Sequence, residues 1–224
     1  MIEIAIDGTA ASGKGTLAKN LAKKYDFVHL DTGLLYRKVA NELIIQKKDV
    51  SKNLENYSCK IARNLNFLEL NKDALRSEET AKLASHIATY PKLREILNFK
   101  QKEFVDINKT KFPGCILDGR DIGTKILPNA EFKFFIDASI DVRAKRRLLE
   151  KNISFLHEND EKCMLQSLIR EMRERDNLDK SRISSPLVPA DDAHIIDTTN
   201  MDADELLSKV IKIIEGIWHL FVIY

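Results

Sequence analysis

The sequence predicts an α/β fold, a central parallel sheet covered by helices on both faces. Three observations carry that prediction. Short apolar strands alternate with amphipathic helical stretches at both ends of the chain. The apolar strands stop at aspartates: Asp7, Asp31, Asp118, Asp137 and Asp197. A loop of small residues joins the first strand to the first helix.

Ile2, Ile4 and Ile6 alternate with Glu3 and Ala5, as in a short strand. After Thr16 the apolar period changes. Leu17 and Leu21 fall four apart beside Ala18 and Ala22, while Lys19, Lys23 and Lys24 face away, which predicts a helix. Residues 27–30 read as a second strand, and Leu35, Val39 and Leu43 as a second helix. The stretch 48–113 reads as mainly helical, with one short strand over 67–70. Ser77 with Thr80 and two glutamates marks a helix start, and Pro91 suits the first turn of the helix carrying Leu93, Ile96 and Leu97. Strands return over 115–117, 132–136 and 193–196. Asp202, with Glu205 three residues on, opens the last helix.

The 224 residues suit one compact domain, 1–224. Apolar residues are 44% and charged residues 31%, values that indicate a soluble globular protein. A formal charge of +2 lacks the basic excess of a nucleic-acid binder, so no nucleic-acid partner is expected. Cys59, Cys115 and Cys163 have no metal-ligand spacing and read as reduced thiols of a cytoplasmic protein. No secretory signal is visible at the start. The apolar run 217–224 is too short to span a bilayer, so no membrane association is expected; it is expected to finish the last helix and pack on the body.

In an open parallel sheet the ligand crevice lies outside the carboxyl ends of the strands, where these aspartates fall. Asp137 and Asp197 are also read as caps of the next helix. Gly8, Thr9, Ala10, Ala11, Ser12, Gly13, Lys14, Gly15 and Thr16 satisfy the phosphate-loop spacing GxxxxGK. Small residues let backbone N–H groups turn toward phosphate oxygens, the following helix adds its positive end, and Lys14 supplies a cation. Gly15 stands where the general motif has Ser or Thr, so Thr16 is the candidate magnesium contact. Together these predict a P-loop NTPase fold.

A guanine-reading switch is the rival class. Asn71-Lys72-Asp73 and Asn108-Lys109-Thr110 fail the Asn-Lys-x-Asp spacing, and no aspartate has a glycine three residues later. A small-molecule kinase fits better. The shifted threonine resembles that of nucleoside monophosphate kinases. Four strings narrow the resemblance to bacterial cytidylate kinases: Leu-Asp-Thr-Gly-Leu-Leu-Tyr-Arg at 30–37, Asp-Gly-Arg-Asp-Ile-Gly-Thr at 118–124, Arg-Glu-Arg-Asp-Asn-Leu-Asp-Lys-Ser-Arg at 173–182, and Pro-Leu-Val-Pro-Ala-Asp-Asp-Ala at 186–193.

The resemblance implies ATP as phosphoryl donor with Mg2+, CMP or dCMP as acceptor, and a monomer in the cytoplasm. It implies an acceptor-binding insert at roughly 50–113 and a lid at roughly 141–182. Arg37, Arg120 and Arg182 would hold the acceptor phosphate, with Thr32 and Tyr36 shaping that pocket. Asp179, oriented by Arg175, would take the ribose hydroxyls; Ser85, Arg94 and Asp121 would read cytosine. Lys14, Arg120, Arg175 and Arg182 are the expected catalytic charges. Arg143, Arg146, Arg147, Arg170 and Arg173 read as surface or lid residues. Only about a dozen residues separate Leu65 from Ser77, where the family carries a small antiparallel sheet, so the acceptor flap is expected to be short. A kinase for UMP or shikimate, or a nucleotide-binding switch without acceptor, is the alternative.

Overall fold

The computed structural model describes residues 1–46, 53–70, 75, 77–151 and 157–222, leaving aside the side chains of 69 and 218–222. The chain divides into two compact units: Ile2–His29 with Gly114–Tyr224, and Met1 with Leu30–Pro113.

The first unit is built on the sheet. β1 (Ile2–Gly8) runs parallel to β3 (Gly114–Gly119) on one side and to β4 (Phe132–Asp137) on the other. β5 (His194–Asp197) runs parallel to β4, and β2 (Val28–Asp31), in which the chain leaves this unit, follows β3, giving the order β2-β3-β1-β4-β5. Ile4, Ala5 and Ile6 are all fully buried, as are Cys115, Ile116 and Leu117. Such unbroken burial is what parallel strands with both faces covered require.

The helices of this unit are α1 (Lys14–Tyr25), α6 (Ile140–Glu150), α7 (Glu158–Ser181) and α8 (Ala203–Val222). Leu17 and Leu21 of α1 and Leu206, Val210 and Ile214 of α8 pack with Ile4, Ile6, Ile116, Phe134 and Ile136 of the sheet. The spacing of four in each set places one apolar stripe on each helix. α8 opens as predicted: Asp202 Oδ1 accepts the Glu205 N–H at 2.8 Å, and Glu205 Oε2 accepts the Asp202 N–H at 2.9 Å. Ile217 packs against this core; the rest of the apolar C-terminal run lies outside the described side chains.

The second unit is helical. α2 (Gly33–Ile45) packs on α3 (Leu54–Arg63) and α4 (Glu78–Ile87), and α3 packs on α5 (Pro91–Asn108). Leu35, Val39, Leu43, Ala62, Ile87, Leu93 and Leu97 are among its fully buried residues on these helices. Ser77 caps α4 by accepting the Thr80 N–H, and Pro91 fills the first turn of α5. The strand expected over 67–70 is absent. Phe67–Glu69 is a 3-10 turn, closed by Asn66 Oδ1 accepting the Leu68 N–H at 3.0 Å. That local bond competes with a strand ladder, and Phe67 packs edge-on against Phe104 instead.

Gly114 opens β3 against the ring of Phe27, and a Cβ at this position would collide with three ring carbons. Gly114→Ala is expected to lower stability by about 1–3 kcal/mol in urea denaturation, with Phe27→Leu recovering part of the loss. A Gly114→Ala variant as stable as the parent would contradict this packing.

Candidate active site

The site begins where β1 ends. Asp7 and Gly8 close the strand, and Gly8 has φ 149° with its α-carbon against the Ile136 carbonyl, leaving no room for a side chain. The loop then turns through two left-handed residues, Ala11 (φ 58°) and Gly13 (φ 95°). Gly13 is the N-cap of α1 and offers no side chain to its N–H groups. The first N–H groups of a helix have no partner within it, so this end is available to an anion.

The loop carbonyls point into the protein. Ser12 Oγ donates to Thr9 O at 3.0 Å, Thr198 Oγ1 to Ser12 O at 2.9 Å, and Arg143 Nη1 to Ala10 O at 3.4 Å. Thr9 Oγ1 donates to Asp137 Oδ1 at 2.6 Å. Arg146 holds Thr198 in turn, donating to its hydroxyl at 3.0 Å and its carbonyl at 2.7 Å. Lys14 is half-buried, its Nζ 3.4 Å from Thr9 O; Thr16 is exposed in the first turn of α1. A side chain at Gly15 would meet open space. Residues 8–16 therefore form one turn that carries the chain from β1 into the N-terminus of α1.

A second cluster gathers at the end of β3 and the end of α7. Arg120 Nε donates to Asp179 Oδ2 at 2.8 Å, and its Nη1 to Gly119 O at 3.0 Å. Arg182 Nη1 lies 3.4 Å from Asp179 Oδ1. Burial pushes the Asp179 carboxyl up, but Arg120, Arg182 and Arg175 outweigh it and hold the group below its ordinary range. Burial pulls the Arg120 guanidinium down, and Asp179 outweighs this and holds it above its ordinary value. Arg175, Asp179 and Arg182 thus come together, α7 running continuously over Glu158–Ser181 with Arg182 as its C-cap. Asp179 accepts a hydrogen bond from Arg120, and the charge of Arg175 reaches it as well.

Asp121 is buried and starts an unanticipated π-helical turn, Ile122–Ile126. Asp7 fixes that turn, accepting the N–H groups of Ile122 and Gly123, each at 2.8 Å. His29 Nε2 lies 2.7 Å from Asp118 Oδ2. Within the 186–193 string, Asp192 accepts from Lys133 Nζ at 2.7 Å.

In the helical unit, Thr32 is the buried N-cap of α2, and Tyr36 and Arg37 follow on that helix. Arg37 Nη1 donates to Leu75 O at 3.1 Å. Arg94 is buried in the first turn of α5, its guanidinium 5.7 Å from the Tyr36 ring centroid and donating to Ala88 O at 3.3 Å. Ser85 is half-buried in α4. A cavity of about 390 Å3 in this unit is lined by Lys38, Glu42, Tyr57, Lys60 and Asn64, none of them a predicted site residue.

Sequence reasoning underrated four residues. Arg143 and Arg146, read as surface or lid arginines, support the phosphate loop. Asp137, read as a helix cap, binds Thr9 instead, and α6 takes Ser139 as its N-cap. Thr198 carried no signal at all. Arg147 fits the surface reading, pairing with Glu150 in solvent.

A parallel sheet whose central strand feeds an amide-lined loop and a helix N-terminus, with buried arginines beside it, defines a P-loop nucleotide-binding phosphotransferase. The cytidylate kinase family model matches residues 4–216. The chain belongs to the cytidylate kinase family. It is 41% identical to the cytidylate kinase of Bartonella bacilliformis over 212 residues, covering 95% of this chain and 94% of that protein. Against the cytidylate kinase of Methylocella silvestris the identity is 42% over 213 residues, with the same coverage. A solved structure of an uncharacterized protein from Eubacterium ventriosum shares the fold, with a TM-score of 0.53, 20% identity, and coverage of 96% of this chain and 98% of that one.

Burial pushes the Asp7 carboxyl up from 3.8 to about 7, outweighing the two N–H donors. The folded protein therefore keeps a proton that the unfolded chain has released. The stability this group contributes is complete below about pH 4 and is lost as pH rises through about 7. The stability gap between the parent and Asp7→Asn, measured in urea, is expected to shift toward the variant from about pH 5 to about pH 8. A gap independent of pH would contradict the assignment.

Proposed function

We propose that the protein transfers the terminal phosphoryl group of ATP to CMP or dCMP, releasing ADP and CDP or dCDP, in pyrimidine nucleotide metabolism. Family membership supports this reading. The observation that carries it is the presence, within one compact unit, of an amide-lined loop and an arginine–aspartate cluster.

In the transfer the bond from the γ-phosphorus to the bridging oxygen breaks, and its electron pair stays on ADP. An oxygen of the acceptor phosphate forms the new bond. Catalysis of this kind is positioning plus charge neutralisation. Residues 8–16 hold the donor phosphates, and Lys14, Arg120, Arg175 and Arg182 neutralise the charge that develops. No covalent enzyme intermediate is required.

Mg2+ accompanies the triphosphate and screens its charge. Among the described residues no three acidic, histidine or cysteine side chains gather as a cage. The exposed Thr16 hydroxyl would hold the ion on the protein side, and the ion would supply positive charge at the phosphate oxygens.

On the acceptor side, Arg37, Arg120 and Arg182 take the phosphate, with Thr32 and Tyr36 beside it. Asp179 and Arg175 serve the ribose, and Ser85, Arg94 and Asp121 the base. A carboxylate accepts the exocyclic amine proton of cytosine and repels the carbonyl that uracil presents there. Closure of a lid within roughly 141–182 keeps water from the reacting phosphate. We further read the protein as a cytoplasmic monomer; among the described residues no helix is long and apolar enough to cross a membrane.

An ADP-release assay across CMP, dCMP, UMP, AMP and GMP tests the reading. Turnover is expected to be fastest with the cytidine nucleotides. Preference for another acceptor, or ATP binding without acceptor-dependent turnover, would overturn it. Lys14→Ala is expected to lower kcat by about 10²–10³-fold in that assay. Asp121→Ala is expected to reduce the CMP-over-UMP preference by about tenfold or more while KM for ATP stays within about threefold. Equal losses for both substrates would remove Asp121 from base reading.

A further inference from the structure

Two buried charges of the sheet unit have no part in the transfer chemistry described above. Arg143 on α6 is 4% exposed and Asp176 on α7 is 7% exposed. Arg143 Nη2 donates to Asp176 Oδ2 at 2.7 Å. The same guanidinium donates through Nε to Ala138 O at 2.8 Å, just beyond β4, and through Nη1 to Ala10 O at 3.4 Å in the phosphate loop. Asp176 directly follows Arg175 and precedes Asp179 by three residues. Its charge also reaches Arg120. One ion pair therefore links the loop, the end of β4 and the arginine-bearing end of α7.

Apolar packing already joins these pieces. Ala144, Leu148, Leu168, Ile169 and Met172 form one buried cluster, and Ala10 packs against it. Cohesion does not need a buried ion pair, which costs desolvation that apolar side chains of similar size avoid. Asp176 Oδ1 is buried with no hydrogen-bond partner, a further cost that a cohesive device would not carry. What the pair adds is direction. A guanidinium fork sets distance and angle together, and sliding apolar surfaces do not.

We infer that Arg143 and Asp176 are positioning residues for phosphoryl transfer, fixing the end of α7 that carries Arg175, Asp179 and Arg182 against the phosphate loop at Ala10. The inference rests on the phosphotransferase reading above. Reacting groups misplaced by about 1 Å lose about 10²-fold in rate, so a small tilt of α7 acts on kcat more than on binding.

The test separates position from cohesion. In the double variant Arg143→Met/Asp176→Leu, apolar groups replace the pair, and the melting temperature is expected to stay within a few degrees of the parent. Its kcat with ATP and CMP is expected to fall at least about tenfold, with KM for both substrates within about threefold. Arg143→Lys keeps the charge but loses the fork, and a smaller loss of kcat at unchanged melting temperature is expected. A double variant whose kcat lies within about threefold of the parent overturns the inference. If the double variant fails to fold, Arg143→Lys decides, and parental kcat in that variant overturns it. A parent enzyme that does not turn over CMP defeats the functional reading instead, before either variant is compared.

Discussion

A peptide group has two polar ends, and a loop that aims its N–H groups at phosphate must satisfy its carbonyls on the other side. The rest of this active site depends on that constraint. Thr9, Ala10 and Ser12 turn their carbonyls onto Ser12 Oγ, Arg143 and Thr198. These donors come from three separate places in the sequence, so the loop is shaped by the assembled unit and not by its glycines alone. Ala11 shows this well. It adopts φ 58°, unfavourable for a side chain, and packs on the α6–α7 cluster. A left-handed alanine costs on the order of 1 kcal/mol, which tertiary packing offsets here.

The strand order explains why these donors converge. β1 lies between β3 and β4, and the register sets Asp7 opposite Gly119 and Phe135 and Gly8 opposite Ile136. Connections after β1 lead first toward β3 and β2, while those after β3 lead to β4 and β5. The carboxyl end of β1 is thus the point where the topology reverses, and a crevice opens there by construction. Asp7 binds Ile122 and Gly123 across one side of it, and Asp137 binds Thr9 across the other. Asp7 and Asp137 thus serve as struts between neighbouring loops, whereas Asp31 accepts the Gly33 N–H at the start of α2 and Asp197 accepts the Thr199 N–H within its own loop.

How much of this was legible follows from which interactions are local. β1, the phosphate loop and α1 are contiguous, so spacing alone revealed them. β1, β3 and β4 were visible as apolar runs because a doubly covered sheet buries its central strands, while the edge strands β2 and β5 bury only Leu30 and Ile196 and showed as shorter runs ending at aspartates. The 67–70 segment misled because three of its four residues are apolar, while Asn66 closes a turn that periodicity does not register. The roles of Arg143, Arg146 and Thr198 were hidden for a different reason. Each contacts a loop more than 130 residues away or a residue that does, and a buried arginine looks like an exposed one in the sequence. The i, i+4, i+7 spacing of Arg175, Asp179 and Arg182 was readable, but the Arg120 that joins them lies just beyond β3, far away in sequence.

The near-neutral composition and the density of charge at the site are two aspects of one arrangement. A net charge of +2 offers little long-range attraction for a polyanion. The guanidiniums beyond the carboxyl ends of β3 and β4 are instead paired with carboxylates: Arg120 with Asp179, Arg143 with Asp176. A buried guanidinium left unpaired would destabilise the fold by several kcal/mol, so each needs a counter-charge before substrate arrives. Asp179 supplies it while contacting both Arg120 and Arg182, and so sets their separation as well as their charge balance. In the proposed reaction an incoming phosphate would meet donors whose spacing is already fixed, and would exchange places with an existing interaction instead of gathering loose side chains. The entropy of ordering those arginines is met during folding, which is what pre-organisation means for a reaction that relies on placement.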